Sequence, residues 1–560
     1  MALTQLPTRD EVDPRYTWND TSVFASVDEW SAELARLLND LGDMSGYQGR
    51  LAEGPAVLAD ALRTLYDLRG RAEKVLVYAF LTESVDRSNQ AATARAGQAG
   101  SLIGQMEGAI AYFEPELLGI GQERLTEWLT AEPELAVYGH YVDDLFRRQA
   151  HVRSPEVEEV LGLAADAFGG TNNTYGKLTD SDFKFRPAAG SEGEVAVTQG
   201  TIDDLLNSPD RALRRAAWEN YHDQFLAYKN TLTSNLATSI KQNVLQSRVR
   251  RYDSTLAMAL FAGNIPSSVY HNLLDTFKRH RPVWHRYFDV RRHALGVESL
   301  HTYDIWAPLT TEKPVIPYEQ AVEWIAAAMA PLGDEYAGRL RRGCLEERWV
   351  DVYPNEAKSS GAFSWGCQGT YPFIVMSYTD DAGSMGTLAH ELGHSMHSLL
   401  SWENQPHVYA EYSLFAAEVA SNFNQAMLRA HLLPQDIDRN LKIAVLEEAM
   451  SNFHRYFLEM PTLAMFEWEM HKRVEDGKGL TADDMIGYLA DLFAEAYGDA
   501  AVVDRERDGI RWATFGHLYA DYYVYQYATG ISGANQRGRL TLSPGGFALG
   551  RGGPNDTGAC

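Results

Sequence analysis

Through most of this chain, apolar residues recur at intervals of three and four between charged ones, as in 56–70, 73–86, 208–246, 268–294, 317–333 and 437–458. That spacing is the signature of helices with one buried face. Period-two alternation is scarce, and the best strand candidates are 181–186, 194–198, 349–353 and 372–378. The pattern predicts a mainly α fold with a small β-sheet. Ser154-Pro155-Glu156 reads as an N-cap, a first-turn proline and an early acid, opening a helix near 155. Glycine-rich breaks at 168–173 and 186–193 end a helical N-terminal portion, so a boundary is expected near 205.

Charge narrows the function classes. The 560 residues hold 50 Lys and Arg against 76 Asp and Glu, a net charge of −26. A surface this acidic repels phosphate backbones and anionic lipid, which argues against nucleic-acid and membrane-surface partners. The three cysteines, Cys344, Cys367 and Cys560, are too few and too scattered for a disulfide framework or a thiolate metal site. No run approaches the length of a membrane span. The start of the chain carries Asp10, Glu11 and Asp13 where a secretory signal needs basic and then apolar residues. A soluble, cytoplasmic protein is the expectation.

One short motif carries chemistry. His390-Glu391-Leu392-Gly393-His394 is an H-E-x-x-H inside an apolar helical run, 387–400. On a helix, positions i and i+4 share a face, so both imidazoles can point at one ion. Zinc accepts such nitrogen ligands with a carboxylate and leaves a position open for water. Glu391, beside the first ligand, is placed to take a proton from that water. The plainer alternative is a helix with two satisfied histidines. His397, three residues past His394, is awkward to bring to the same ion on a straight helix and reads as a neighbour. A carboxylate from the next helical run, 413–432, remains as third ligand. Glu418 lies in that run among the small residues Ala416, Ala417, Ala420 and Ser421, with Glu403 and Glu411 as rivals in or beside the intervening loop.

Several dispersed segments, taken in order, are similar to the oligoendopeptidase F group of the thimet-oligopeptidase-like zinc metallopeptidases. They are Trp18-Asn19-Asp20, Tyr252-Asp253-Ser254, Asn264-Ile265-Pro266, Gly361-Ala362-Phe363-Ser364-Trp365-Gly366, and Pro372-Phe373-Ile374. The metal motif, Ala417-Glu418-Val419-Ala420-Ser421, His517-Leu518-Tyr519 and the run from Tyr522 to Gly530 complete the set. The resemblance implies one zinc per chain held by His390, His394 and Glu418, with Glu391 as general base and then acid. It also implies a two-lobed helical body with a deep channel that admits unfolded oligopeptides. It further implies that His517, Tyr522 and Tyr525 approach the scissile carbonyl, where an oxyanion needs a donor. Read as sequence alone, the same tyrosine-rich stripe is an aromatic helix packed in a core.

The expected organisation is a helical N-terminal lobe (1–205), a zinc-peptidase catalytic domain (206–535) and an irregular tail (536–560). The tail departs from the family, whose members continue there with amphipathic helix. The expected function is internal cleavage of short unfolded peptides, in peptide degradation. A zinc carboxypeptidase and a peptide-binding relative without turnover are the alternatives. The segment 372–378, β-prone and just ahead of the metal helix, is expected to offer a strand edge to a peptide.

Overall fold

The computed structural model describes residues 6–542 apart from 192, 311 and 360. Among the described residues helices carry the fold, with five short strands: β1 (Ala188–Gly190), β2 (Gly193–Val195), β3 (Val350–Asp351), β4 (Phe363–Trp365) and β5 (Phe373–Val375). The mainly α expectation holds. Two compact units are present, each built from separated stretches of chain. The first takes in the described residues of 1–150, 314–436 and 533–542, and the second 151–313 and 437–532. The units therefore part near 150, 313, 436 and 532 rather than at the expected 205, because the chain leaves the first unit and returns to it.

In the first unit, helices Val27–Ser45, Pro55–Val85 and Gln90–Ile110 pack on one another. The two periodic runs 56–70 and 73–86 thus form one helix, whose Leu58, Leu62, Leu65, Val75 and Leu81 are buried. Removing a leucine side chain from water contributes about 1.5–3 kcal/mol, so this face is what fixes the helix in place. The core continues without a break into Phe373 and Val375 of β5. The sheet order is β3-β5-β4, with β3 parallel and β4 antiparallel to β5. Asp351 in β3 is fully buried between Lys358 at 2.7 Å and Arg9 at 2.6 Å, and this ties the N-terminal segment to the sheet. A carboxylate removed from water in this way is tolerated because both cations neutralise it.

In the second unit, helix Pro155–Gly176 opens where the sequence suggested, although Ser154 makes no side-chain cap bond. It runs straight through 168–173, where a glycine-rich break was expected. Adjacent glycines cost helix propensity, about 1 kcal/mol each, but tertiary packing overrides so small a term. The helix ends in a wider π turn at Lys177–Asp182, which displaces the strand expected at 181–186. Asp304 is buried between Arg211 at 2.8 Å and Arg214 at 2.9 Å. The last described helix, Tyr525–Leu542, covers 536–542, the start of the expected irregular tail. The rest of that tail lies outside the described residues. Among the described residues, no helix is long and apolar enough to cross a membrane.

Candidate metal and catalytic site

The metal motif lies in the middle of helix Ala382–Asn404. Asp381 starts this helix by accepting the Ser384 N–H at 2.8 Å, while the Ser384 side chain reaches back to the cap. That reciprocal arrangement satisfies donors the first turn cannot. The next helix, Leu414–Leu432, packs along it. The two helices approach closely where Gly393 meets Ala420 and Ser421. A β-carbon on Gly393 would stand 2.5 Å from the Ala420 carbonyl oxygen and from the Ser421 Cα. Glycine is the only residue that fits, and the close approach brings Glu418 against the histidine pair.

His390, His394 and Glu418 each offer a ligand atom, and the three atoms lie within 4.8 Å of one another. His390 Nε2 is 3.4 Å from a Glu418 carboxylate oxygen. The two imidazole rings stand 4.9 Å apart, nearly perpendicular. Burial holds the His394 pKa down to about 3, so the ring is neutral and its lone pair is free to ligate. Two nitrogens and a carboxylate oxygen, converging without a cation side chain among them, suit zinc. Ser421 Oγ donates to the same Glu418 oxygen at 3.0 Å, and this steadies the carboxylate. The rivals lie elsewhere. Glu403 is paired with Arg339, and Glu411 is not in the converging set. His397 stacks on Tyr412 with ring centroids 3.8 Å apart, so it is the neighbour the spacing suggested.

Glu391 is buried, and burial pushes its carboxyl up to about 7 against the pull of His390, with the Glu418 charge adding to the rise. The Ser364 backbone N–H donates to it. Strand register explains why. The Ile374 and Met376 amides donate to the carbonyls of Trp349 and Asp351, so Phe373 and Val375 turn theirs toward β4. Ser364, paired opposite Ile374, must then face the outer edge, where Glu391 meets it. The segment 372–378 is thus not an edge. Its strand, β5, is central, and the edge beside the metal helix belongs to β4.

His517, Tyr522 and Tyr525 all belong to the second unit. Tyr522 and Tyr525 share Tyr270, with ring centroids 5.7 and 5.1 Å from it. His517 instead stacks on Tyr523 at 5.2 Å. Tyr522 precedes the helix in a left-handed conformation, φ 50°, so it and Tyr525 do not share a helical face as the spacing allowed. Glu467 fixes that turn by accepting the Tyr522 N–H at 2.6 Å, and the Tyr522 hydroxyl lies 3.1 Å from Thr255 Oγ1. Two contributors escaped the sequence reading. Ser364 carried no signal of its role toward Glu391. Gln425, whose side chain meets His390, could have been found seven residues, or two turns, past Glu418.

The family model for Peptidase family M3 matches residues 205–541, and that for Oligopeptidase F matches 116–185. The chain belongs to peptidase family M3. It is 34% identical to oligopeptidase PepF of Bacillus subtilis (strain 168) over 549 residues, 98% of this chain and 82% of that protein. Group B oligopeptidase PepB of Streptococcus agalactiae is 32% identical over 94% of this chain and 88% of its own length. The crystal structure of oligoendopeptidase-F from Enterococcus faecium superposes with a TM-score of 0.70 at 29% identity, covering 92% of this chain and 88% of that one.

Proposed function

We propose that this M3 peptidase is a zinc-dependent, cytoplasmic endopeptidase that cuts internal bonds of short unfolded oligopeptides. The observation that carries the reading is the convergence of His390, His394 and Glu418 within 4.8 Å, with Glu391 buried beside them. These residues would hold one zinc, which supplies a Lewis acid to polarise the scissile carbonyl. Glu391 accepts a proton from the attacking water and delivers it to the departing amine. A carboxyl raised toward neutrality suits both halves of that transfer. The Ser364 N–H orients the carboxylate during both. The Ser364 carbonyl, on the same outer edge of β4, pairs with the substrate backbone, a mode of recognition that is indifferent to side chains. That edge accepts extended chain only, so folded proteins are spared, in keeping with the channel implied by the family resemblance.

The test is an internally quenched peptide of about ten residues, blocked at both ends. Cleavage that stops with a zinc chelator and returns with zinc is expected, and Glu391→Gln should lower turnover by about 10² or more with the metal retained. Cleavage only of peptides with a free C-terminus would make the enzyme a carboxypeptidase. Zinc and peptide binding without turnover would make it a binding protein.

A further inference from the structure

His390 has an oxygen beside each ring nitrogen. Its Nδ1 is 3.1 Å from Gln425 Oε1, while Nε2 is 3.4 Å from the Glu418 carboxylate. An amide oxygen only accepts, so Nδ1 must bring the proton to it. A neutral imidazole with its proton on Nδ1 has its lone pair on Nε2, the nitrogen that faces Glu418. The opposite turn of the amide would place the proton on Nε2, pointing at Glu418, and the ring could not ligate.

Gln425 is itself buried, at 6% exposure, and sits on the same Leu414–Leu432 helix as Glu418. Seven residues separate them, about 10 Å along the axis on one face. A single helix thus carries the carboxylate ligand and the group that sets the tautomer of a ligand on the other helix. We propose that Gln425 is a positioning residue that fixes Nε2 of His390 as the metal-binding nitrogen. The inference rests on the zinc reading above. Its chemistry is particular, because the acceptor is an uncharged amide where a carboxylate would also serve. A carboxylate would make the ring a stronger donor, so this site is held below the affinity its geometry permits.

Zinc affinity of the full-length chain, measured by competition with a chelating indicator, separates the possibilities. Gln425→Met keeps the bulk and removes the acceptor, and should weaken zinc binding by about 10–100-fold. Gln425→Glu restores an acceptor and should bind zinc at least as tightly as the unaltered chain. The metal-free variants should melt close to the unaltered metal-free chain, which a merely structural role would not allow. If Gln425→Met fails to fold, Gln425→Asn withdraws the acceptor by one bond and carries the same expectation. An affinity within about twofold of the unaltered chain for the Met or Asn variant overturns the inference and leaves the zinc reading standing. Weaker binding by Gln425→Glu overturns it too. Failure of the unaltered chain to bind zinc overturns both.

Discussion

Gly393 faces Ser421 so closely that a β-carbon on the glycine would lie 2.5 Å from the Ser421 Cα. The opposing atoms are backbone and cannot swing away. Alanine would gain about 1 kcal/mol of helix propensity, but forcing the two helices apart costs about 1–3 kcal/mol. Gly393→Ala should therefore lower the melting temperature and, by drawing Glu418 off the histidines, lower zinc content. A variant that keeps both would show that the helix contact does not set the ligand geometry.

The three-residue donor set makes unequal demands on the histidines of one helix. His390→Ala should strip most of the zinc measured by elemental analysis. His397→Ala should leave most of it, since that ring is stacked on Tyr412. Equal loss from the two variants would overturn the assignment of His390 and Glu418 over His397.

The tyrosines separate by what their hydroxyls do. Tyr522 OH lies beside Thr255 in a buried turn, so Tyr522→Phe should cost about 1 kcal/mol of stability. Tyr525 OH makes no hydrogen bond among the described residues, and burial pushes its pKa up to about 12, so it stays an available donor. Tyr525→Phe should lower kcat by about 10²–10³ with zinc content and fold preserved, and His517→Ala should also lower kcat. Tyr527→Phe should do little. Steady-state kinetics with metal analysis and circular dichroism make the comparison. Losses confined to KM would recast Tyr525 and His517 as substrate grips.

Acidic stability carries a signature of Asp521. Burial pushes this carboxyl up to about 7 although the Asn243 amide donates to it. The folded chain therefore holds a proton that the unfolded chain, with a pKa of about 3.9, releases. The resulting stability is complete below about pH 4 and is lost as pH rises toward 7, at about 1.4 kcal/mol per unit. Glu467 is shifted the same way by burial, whereas His471, held neutral with its pKa down to about 3, adds a slope of the opposite sign in this range. Asp521→Asn should therefore remove the Asp521 part alone and make stability fall less, or rise, as pH increases. Denaturant unfolding between pH 4 and 7 is the measurement. An unchanged slope in the variant would place the effect elsewhere.

Local rules carried the sequence reading where function depends on one element and its period. The H-E-x-x-H and Glu418 were legible because two helices, each with regular spacing, bring them together. The compact units part elsewhere than at 205, and a unit made of returning stretches leaves no composition mark in the sequence. The helix through 168–173 and the loss of a strand at 181–186 came from packing that overrides weak propensities. The outer position of β4 was invisible for another reason. Which strand of three lies outside depends on pairing across tens of residues, and 372–378 looks equally β-prone whether central or exposed.

The return of the chain to its first unit also sets an order of events during synthesis. All three candidate ligands come from the middle stretch, 314–436, while that unit's opening helices end by 150. A ribosome must therefore release more than 400 residues before a donor set exists. The early helices cannot finish their core until Phe373 and Val375 arrive. Contacts this distant in sequence close slowly. A half-made copy of this peptidase thus lacks all three candidate ligands.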